Sequence, residues 1–290
     1  MPYAGARRLF RIRARDRILE LGSRTLVMGI LNITPDSFSD GGMHFEPARA
    51  IERAWRIAEE GADILDIGAE STRPGAPGVS AEDELRRIVP VMDALAGSYP
   101  LPISIDTSKS EVGRAAMERG AALVNDVTAL GNDPALGEAA AACHAGVILM
   151  HMRGAPRTMQ KLPPSPDILG ELEEWAGMAL ARARNLGVAR DTIILDPGIG
   201  FGKTADQNLE ILRNLDRLAA AGFPILVGAS RKSFIGRILG DPMADRTWGS
   251  AAAVAAAILF GAHMVRVHDV AAMRDVARVT DAILGEGGSA

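Results

Sequence analysis

The sequence predicts one α/β domain, a (β/α)8 TIM barrel with a β-hairpin at its N-terminus. Three observations predict it. From residue 26 onward, eight short apolar runs alternate with longer amphipathic stretches. Those runs are continuously apolar, which suits parallel strands covered on both faces. No Gly/Ser- or Pro-rich linker divides the chain, so residues 1–25 read as an extension and hairpin of the domain whose barrel is 26–290. An open doubly wound sheet is the other arrangement of the same alternation.

Residues 1–17 hold six Arg and one acidic residue, Asp16, a faint likeness to a transit peptide. Residues 9–15 roughly alternate, however, and 18–26 read as strand, turn, strand. No apolar core of a secretory signal is present, so none is expected. The eight runs are 26–31, 64–68, 103–105, 121–124, 146–150, 192–195, 224–228 and 262–267. Helices are expected over 47–61, 80–95, 109–119, 133–145, 167–186, 208–221 and 247–261, with 269–284 after the last strand. Ser80 with Asp83 and Glu84 reads as a helix start, while Gly61, Gly120, Gly187 and Gly222 fall where helices end. Between Arg246 and Arg266 lie 19 residues without formal charge, mostly Ala and Gly with Trp248, Ser250 and His263. That is too weakly apolar for a membrane span and reads as a buried helix running into a strand.

Composition narrows the function. The 290 residues are 48% hydrophobic and 23% charged, with a net charge of 32 − 36 = −4, which excludes a disordered chain. A single cysteine, Cys143, excludes an intramolecular disulfide and points to a reducing, cytoplasmic compartment. A pI near 5.8 and only 12 aromatic residues argue against general nucleic-acid binding.

In such a barrel the active site lies at the carboxyl ends of the strands. The first run ends in Asn32 and then Thr34–Gly42; the second carries Asp66 and ends in Gly68–Gly75. The third ends in Asp106-Thr107-Ser108-Lys109, the fourth in Asn125-Asp126, and the fifth in His151-Met152-Arg153-Gly154. The sixth ends in Asp196–Lys203, the seventh in Gly228–Ser233, and the eighth carries Arg266, His268 and Asp269. One Asp or Asn after a strand is often only a helix cap. Eight polar ends opposite short, plain loops mark an enzyme.

Of 32 basic residues only four are Lys: Lys109, Lys161, Lys203 and Lys232, all in segments that follow strands. In an Arg-rich chain they mark places where a compact ammonium is needed. Ser230-Arg231-Lys232-Ser233 lies between a strand and a helix start and offers backbone N–H groups and two cations to a phosphate, or else merely solvates that start. Arg73, Arg266 and His268 add donors, so a phosphate- or pyrophosphate-bearing substrate is expected. The loop 198–204 fails as a Walker A motif at Pro197 and as a dinucleotide fingerprint at Lys203, and is read as a close approach of backbone to ligand or neighbouring strand. Asp106, Asn125 and Asp196 offer the acceptor and donor pairs that a flat nitrogen heterocycle needs. The five His are too scattered for zinc, while Mg²⁺ bridging a pyrophosphate to Asn32 is compatible. Cys143, in an Ala-rich stretch, reads as an inert core residue.

Five motifs in register with five strand ends resemble the dihydropteroate synthase family of folate biosynthesis. They are Met28–Gly42, Asp66–Gly75, Asp196–Lys203, Ser230–Ser233 and Arg266–Asp269, and the match runs from Met28 to about Asp269. The resemblance implies a transferase, usually homodimeric through its later helices. It joins 6-hydroxymethyl-7,8-dihydropterin pyrophosphate to p-aminobenzoate, with release of pyrophosphate, and is the target of sulfonamides. It implies that Asp106, Asn125, Met150, Asp196 and Lys232 hold the pterin. Asn32 would bind Mg²⁺ and, with Thr72, Arg73, Arg266 and His268, the pyrophosphate. Phe38, Thr72, Pro74, Ser230 and Lys232 would shape the p-aminobenzoate pocket. Asn32, Asp106, Asp196, Lys232, Arg266 and His268 are the implied catalytic set, with no nucleic acid or membrane as partner.

The dihydropterin can carry positive charge at its exocyclic methylene, so pyrophosphate can leave before the arylamine attacks, and no protein nucleophile is needed. Three readings compete with the synthase. One is a methyltetrahydrofolate methyltransferase-type pterin barrel, which would not need the first two loops. Another is a non-catalytic paralogue that binds pterin. The third is a Schiff-base aldolase using Lys203 or Lys232.

Overall fold

The computed structural model describes residues 7–34, 46–70, 78–241 and 243–285. Strands β1 (Phe10–Ala14) and β2 (Arg17–Leu21) form the antiparallel hairpin. Its alternation sorts Ile12, Ala14, Leu19 and Leu21 inward and leaves Arg11, Arg13 and Glu20 in solvent. Arg15 takes the turn at φ 60° and ties it to the barrel, its N–H donating to His144 O at 2.8 Å.

The eight expected runs are all strands: β3 (Leu26–Asn32), β4 (Ile64–Gly68), β5 (Ile103–Asp106), β6 (Leu123–Asp126), β7 (Gly146–Met150), β8 (Ile193–Asp196), β9 (Leu226–Val227) and β10 (Met264–Val267). They form one parallel sheet in the order β8-β7-β6-β5-β4-β3-β10-β9. A parallel bridge between Leu195 and Ile225 brings β8 to β9 and closes the ring. The hairpin plugs its amino end, where its apolar face packs on Leu26, Met28, Ile64, Leu123, Ile148, Ile194, Leu226 and Met264. Each fully buried Leu or Ile there contributes roughly 1.5–3 kcal/mol.

The helices on the outside are α1 (Pro47–Glu59), α2 (Ala81–Leu95), α3 (Ser110–Glu118), α4 (Pro134–Ala142), α5 (Ile168–Asn185), α6 (Ala205–Arg213), α7 (Leu215–Ala219), α8 (Ser233–Ile238), α9 (Thr247–Leu259) and α10 (Val270–Ile283). Ser80 caps α2 as expected, accepting from Asp83 N at 3.1 Å. Gly61, Gly120, Gly187 and Gly222 follow helix ends with positive φ, where a side chain would be strained.

Three expectations are corrected. The helix expected over 208–221 begins earlier, because Thr204 and Gln207 form a capping box, and breaks at Asn214 (φ −127°, ψ 37°) into α6 and α7. Cys143 is not a core residue: it is the exposed C-cap of α4, whose buried face is Leu136, Gly137, Ala139 and Ala140. The uncharged helix α9 is only half buried. It turns Ser250, Ala253, Val254, Ala257 and Ile258 inward and leaves Trp248 82% exposed. Among the described residues, no helix is long and apolar enough to cross a membrane.

Candidate active site

The strand period builds the site. In the layer above the hairpin, Ile64, Leu123, Ile148, Ile194 and Met264 point into the barrel. Two residues further along each strand, the same inward direction carries Asp66, Asn125, Met150, Asp196 and Arg266. Asp106 stands opposite Asn125, and Met150 opposite Asp196. Two residues along the strands thus turn the lining from wholly apolar to mostly polar and charged.

The mouth is a charge network. Arg266 Nε donates to Asp66 Oδ2 at 2.6 Å, and its Nη2 to Asp106 Oδ2 at 2.7 Å. Asn125 Nδ2 donates to Asp66 Oδ2 at 3.3 Å. Burial pushes the Asp106 carboxyl up to about 7, with Arg266 opposing and Asp66 reinforcing the shift. Asp196 accepts from Gly198 N at 2.7 Å and is pushed up to about 6, again chiefly by burial. The Lys232 ammonium is pushed down to about 8 by burial and then by Arg266, and lies 3.9 Å from the centre of the Phe201 ring. Asp66 Oδ1 and Asn125 Oδ1 are buried acceptors without a hydrogen-bond partner among the described residues. Buried polar atoms in this state await a ligand or water.

His268 and Ser230 sit together, with Nδ1 3.1 Å from Oγ, and burial and Arg266 push His268 down to about 3. The imidazole is therefore neutral near pH 7. Asn32 ends β3 half-buried, and its carboxamide makes no hydrogen bond among the described residues. Phe38, Thr72, Arg73 and Pro74 lie outside the described residues. Arg231 and Lys232 do not share one anion site. Arg231, at φ 57°, turns to Asp269 (Nη2–Oδ1 2.5 Å, Nε–Oδ2 3.0 Å), while Lys232 runs toward Phe201.

The four lysines divide. Lys109 joins Glu70 to Glu84, Lys161 is exposed, Lys232 is in the mouth, and Lys203 is buried with its Nζ on three backbone carbonyls. The last arrangement leaves Lys203 no free approach for a Schiff base. The glycine loop approaches a neighbouring strand end: a Cβ on Gly198 would stand 1.9 Å from His151 O. Sequence reasoning did not single out Asp66 or Phe201 as site residues. The signal for Asp66 was its place two residues beyond an inward Ile64; Phe201 carried none, because its neighbours Met150, Met152 and Met159 come from the end of β7 and the segment after it. Two clefts at the plugged end, about 220 and 320 Å³, are lined by Arg8, Phe10 and Phe223 among others, and neither includes a residue of this network.

A closed parallel barrel with orphaned acceptors, a half-buried lysine and a half-buried arginine at its mouth is a binding site for a flat polar heterocycle. The comparisons agree. The pattern of the pterin binding enzyme family matches residues 28–268. The dihydropteroate synthase of Synechocystis is 49% identical over 92% of this chain and 92% of its own, and that of Escherichia coli K12 45% identical over 89% and 91%. The Yersinia pestis dihydropteroate synthase, solved with a sulfonamide drug, superposes with a TM-score of 0.88 at 41% identity, covering 95% of this chain and 99% of its own. The Xanthomonas albilineans enzyme, solved with 4-aminobenzoic acid, gives 0.87 at 43% identity over 97% and 100%. The chain belongs to the pterin-binding enzymes and, within them, to the dihydropteroate synthases, transferases of folate biosynthesis.

Proposed function

We propose that the protein joins 6-hydroxymethyl-7,8-dihydropterin pyrophosphate to p-aminobenzoate, giving 7,8-dihydropteroate and pyrophosphate. The observation that carries this reading is the convergence of Asp106, Asn125, Asp196 and Lys232 around unpartnered buried acceptors. The carboxylates and the Asn125 carbonyl accept from the N–H edge of the pterin, and Lys232 donates to its acceptor side. When the C–O bond to pyrophosphate breaks, the electron pair leaves with the anion and positive charge stays on the dihydropterin. Asp106 and Asp196 stabilise that charge through space. The arylamine nitrogen then forms the new C–N bond and loses a proton to water or to the departing anion. Arg266 and His268, at and just past the end of β10, face the leaving group, and Ser230 and Lys232 border the arylamine; Arg73, Phe38, Thr72 and Pro74, which the resemblance assigns to the same two groups, lie outside the described residues.

Mg²⁺ fits this mouth as a partner of the substrate. Asn32 offers one neutral oxygen, and the described residues hold no group of three or more His, Cys, Asp or Glu able to bind an ion alone. The ion, when bound, neutralises charge on the leaving pyrophosphate. A homodimer is part of the proposal, supported by exposed Ile238, Leu239, Met243 and Trp248 around α8 and the start of α9. So is a cytoplasmic location, supported by the free thiol of Cys143.

The test is pyrophosphate release from dihydropterin pyrophosphate, with and without p-aminobenzoate, beside an Arg73→Ala control and a chelated sample. Release that needs the arylamine and Mg²⁺ and collapses in the control is the expected result. Pterin binding without release reduces the protein to a binding paralogue.

A further inference from the structure

Lys203 lies outside the ring of groups that face substrate, yet it is 5% exposed and spends its ammonium on the backbone. Nζ donates to Gly198 O at 2.8 Å, to Phe201 O at 3.2 Å and to His151 O at 3.2 Å. The first two belong to the loop after β8, the third to the end of β7. No carboxylate touches it among the described residues. Burial pushes the ammonium down to about 7, against the attraction of Asp196 and Glu171 and with the repulsion of Lys232 and Arg153. A buried cation held by carbonyls alone is a costly arrangement, and it marks a specific demand of the backbone around it.

That demand is visible in the loop. Gly198, Gly200 and Gly202 have φ of 64°, 86° and 69°. The chain lies so close to its neighbour that a Cβ on Gly202 would stand 2.6 Å from Arg153 O, and one on Gly198 closer still to His151 O. Packed in this way, three carbonyls converge on one point and repel one another unless a donor sits between them. An ammonium supplies three donors from one atom; the planar fork of Arg does not. The loop so held carries Phe201, whose ring underlies the Lys232 ammonium, and Gly200, whose missing Cβ leaves Lys232 Cδ its path at 3.0 Å. Its first turn also supplies the Gly198 N–H to Asp196.

We propose that Lys203 is a positioning residue: its clamp on His151, Gly198 and Phe201 sets the height of the glycine loop, and thereby the places of Lys232 and Asp196 against the dihydropterin. The inference rests on the functional reading above. It assigns Lys203 no contact with substrate and no proton transfer.

The experiment compares wild type, Lys203→Met and Lys203→Arg by direct titration with dihydropterin pyrophosphate and by p-aminobenzoate kinetics at saturating pterin. Lys203→Met fills the space without donors and is expected to weaken pterin binding about tenfold or more, with a smaller rise in the arylamine KM, because Lys232 also borders that pocket. Lys203→Arg keeps the charge but not the geometry, so it is expected to show the same split, and it serves alone if the Met variant does not fold. Pterin affinity within about twofold of wild type in the folded variants overturns the proposal, as does a fall in kcat with both affinities unchanged, the mark of fewer folded molecules. Wild type that neither binds dihydropterin pyrophosphate nor releases pyrophosphate overturns the functional reading, and the inference with it.

Discussion

Each end of the barrel pairs an arginine with aspartate, fully buried at one end and half-buried at the other, and the two pairs are finished differently. At the plugged end, Arg7 Nη2 meets Asp281 Oδ1 at 2.6 Å, while Nη1 reaches Thr25 Oγ1 at 2.7 Å and Ala262 O at 2.8 Å. Asp281 also accepts from Thr25 Oγ1 and Thr25 N, both at 2.7 Å. Both carboxylate oxygens have partners. At the mouth, Arg266 bridges two carboxylates on different strands, and Asp66 Oδ1 and Asn125 Oδ1 are left without one among the described residues. The first cluster ties the N-terminal segment to the last helix. The second holds charge in place and leaves acceptors open, the pattern of a site organised for a ligand at some cost in stability.

The largest effect of a single substitution is expected at the plugged end. Asp281→Ala strands the Arg7 guanidinium in a buried site and is expected to cost about 3–5 kcal/mol of folding stability. Turnover per folded molecule at 25 °C should stay unchanged. Urea denaturation beside initial-rate kinetics reads both quantities, and a lost kcat/KM with unchanged stability would give this cluster a part in catalysis.

The reciprocal change at the mouth is smaller in free energy and different in kind. Arg266→Ala removes a cation that holds Asp106 and Asp66 in register and that the proposed function turns toward the leaving pyrophosphate, and kcat is expected to fall about 10²–10³-fold. Folding suffers less than in the Asp281 variant, because Asp106 already holds its proton up to about pH 7 and can stay neutral. Single-turnover pyrophosphate release measures the effect. A variant with normal turnover would reduce Arg266 to a structural tie like Arg7.

These two clusters were not equally legible in the sequence. Arg266 stood at a strand end among other polar strand ends, so its position alone marked it. The partner of Arg7 lies 274 residues away and follows no local pattern. The eight strands were legible because continuous apolar runs have one meaning in a chain this regular; the break at Asn214 was not, since Leu215 and Leu218 continue the apolar spacing of the helix before it. Arg231 and Lys232 are neighbours in the chain that part in space because the backbone at Arg231 is left-handed. Lys203 was visible as one of four lysines, as the end of the Asp196–Lys203 motif and as a candidate Schiff-base lysine, but its partners, being carbonyls, leave no mark in a sequence.

The smallest effect is the one that separates the two ends by pH. Asp106 at about 7 and Asp196 at about 6 are raised above the ordinary carboxylate value by burial, and Lys232 at about 8 is lowered by burial and Arg266. Acceptance from the N–H edge of the pterin needs the carboxylates ionised, and donation to its far side needs Lys232 protonated. Affinity should therefore be greatest between about pH 7 and 8, fall toward acid as Asp106 and then Asp196 take up protons, and fall toward alkali as Lys232 loses its own. Each titrating group contributes at most about tenfold per pH unit, or 1.4 kcal/mol. Folding follows the opposite sign on the acid side. A carboxyl whose folded pKa exceeds its unfolded value binds its proton more tightly in the native state, so its contribution to stability declines as pH rises from about 4 to 7. Calorimetric titration with dihydropterin pyrophosphate from pH 5 to 9, beside Asp106→Asn, tests the scheme. The substitution should flatten the upper part of the acid limb; an affinity that rises on acidification would mean that the mouth grips the pterin through protonated carboxyls, and that its open acceptors serve another purpose.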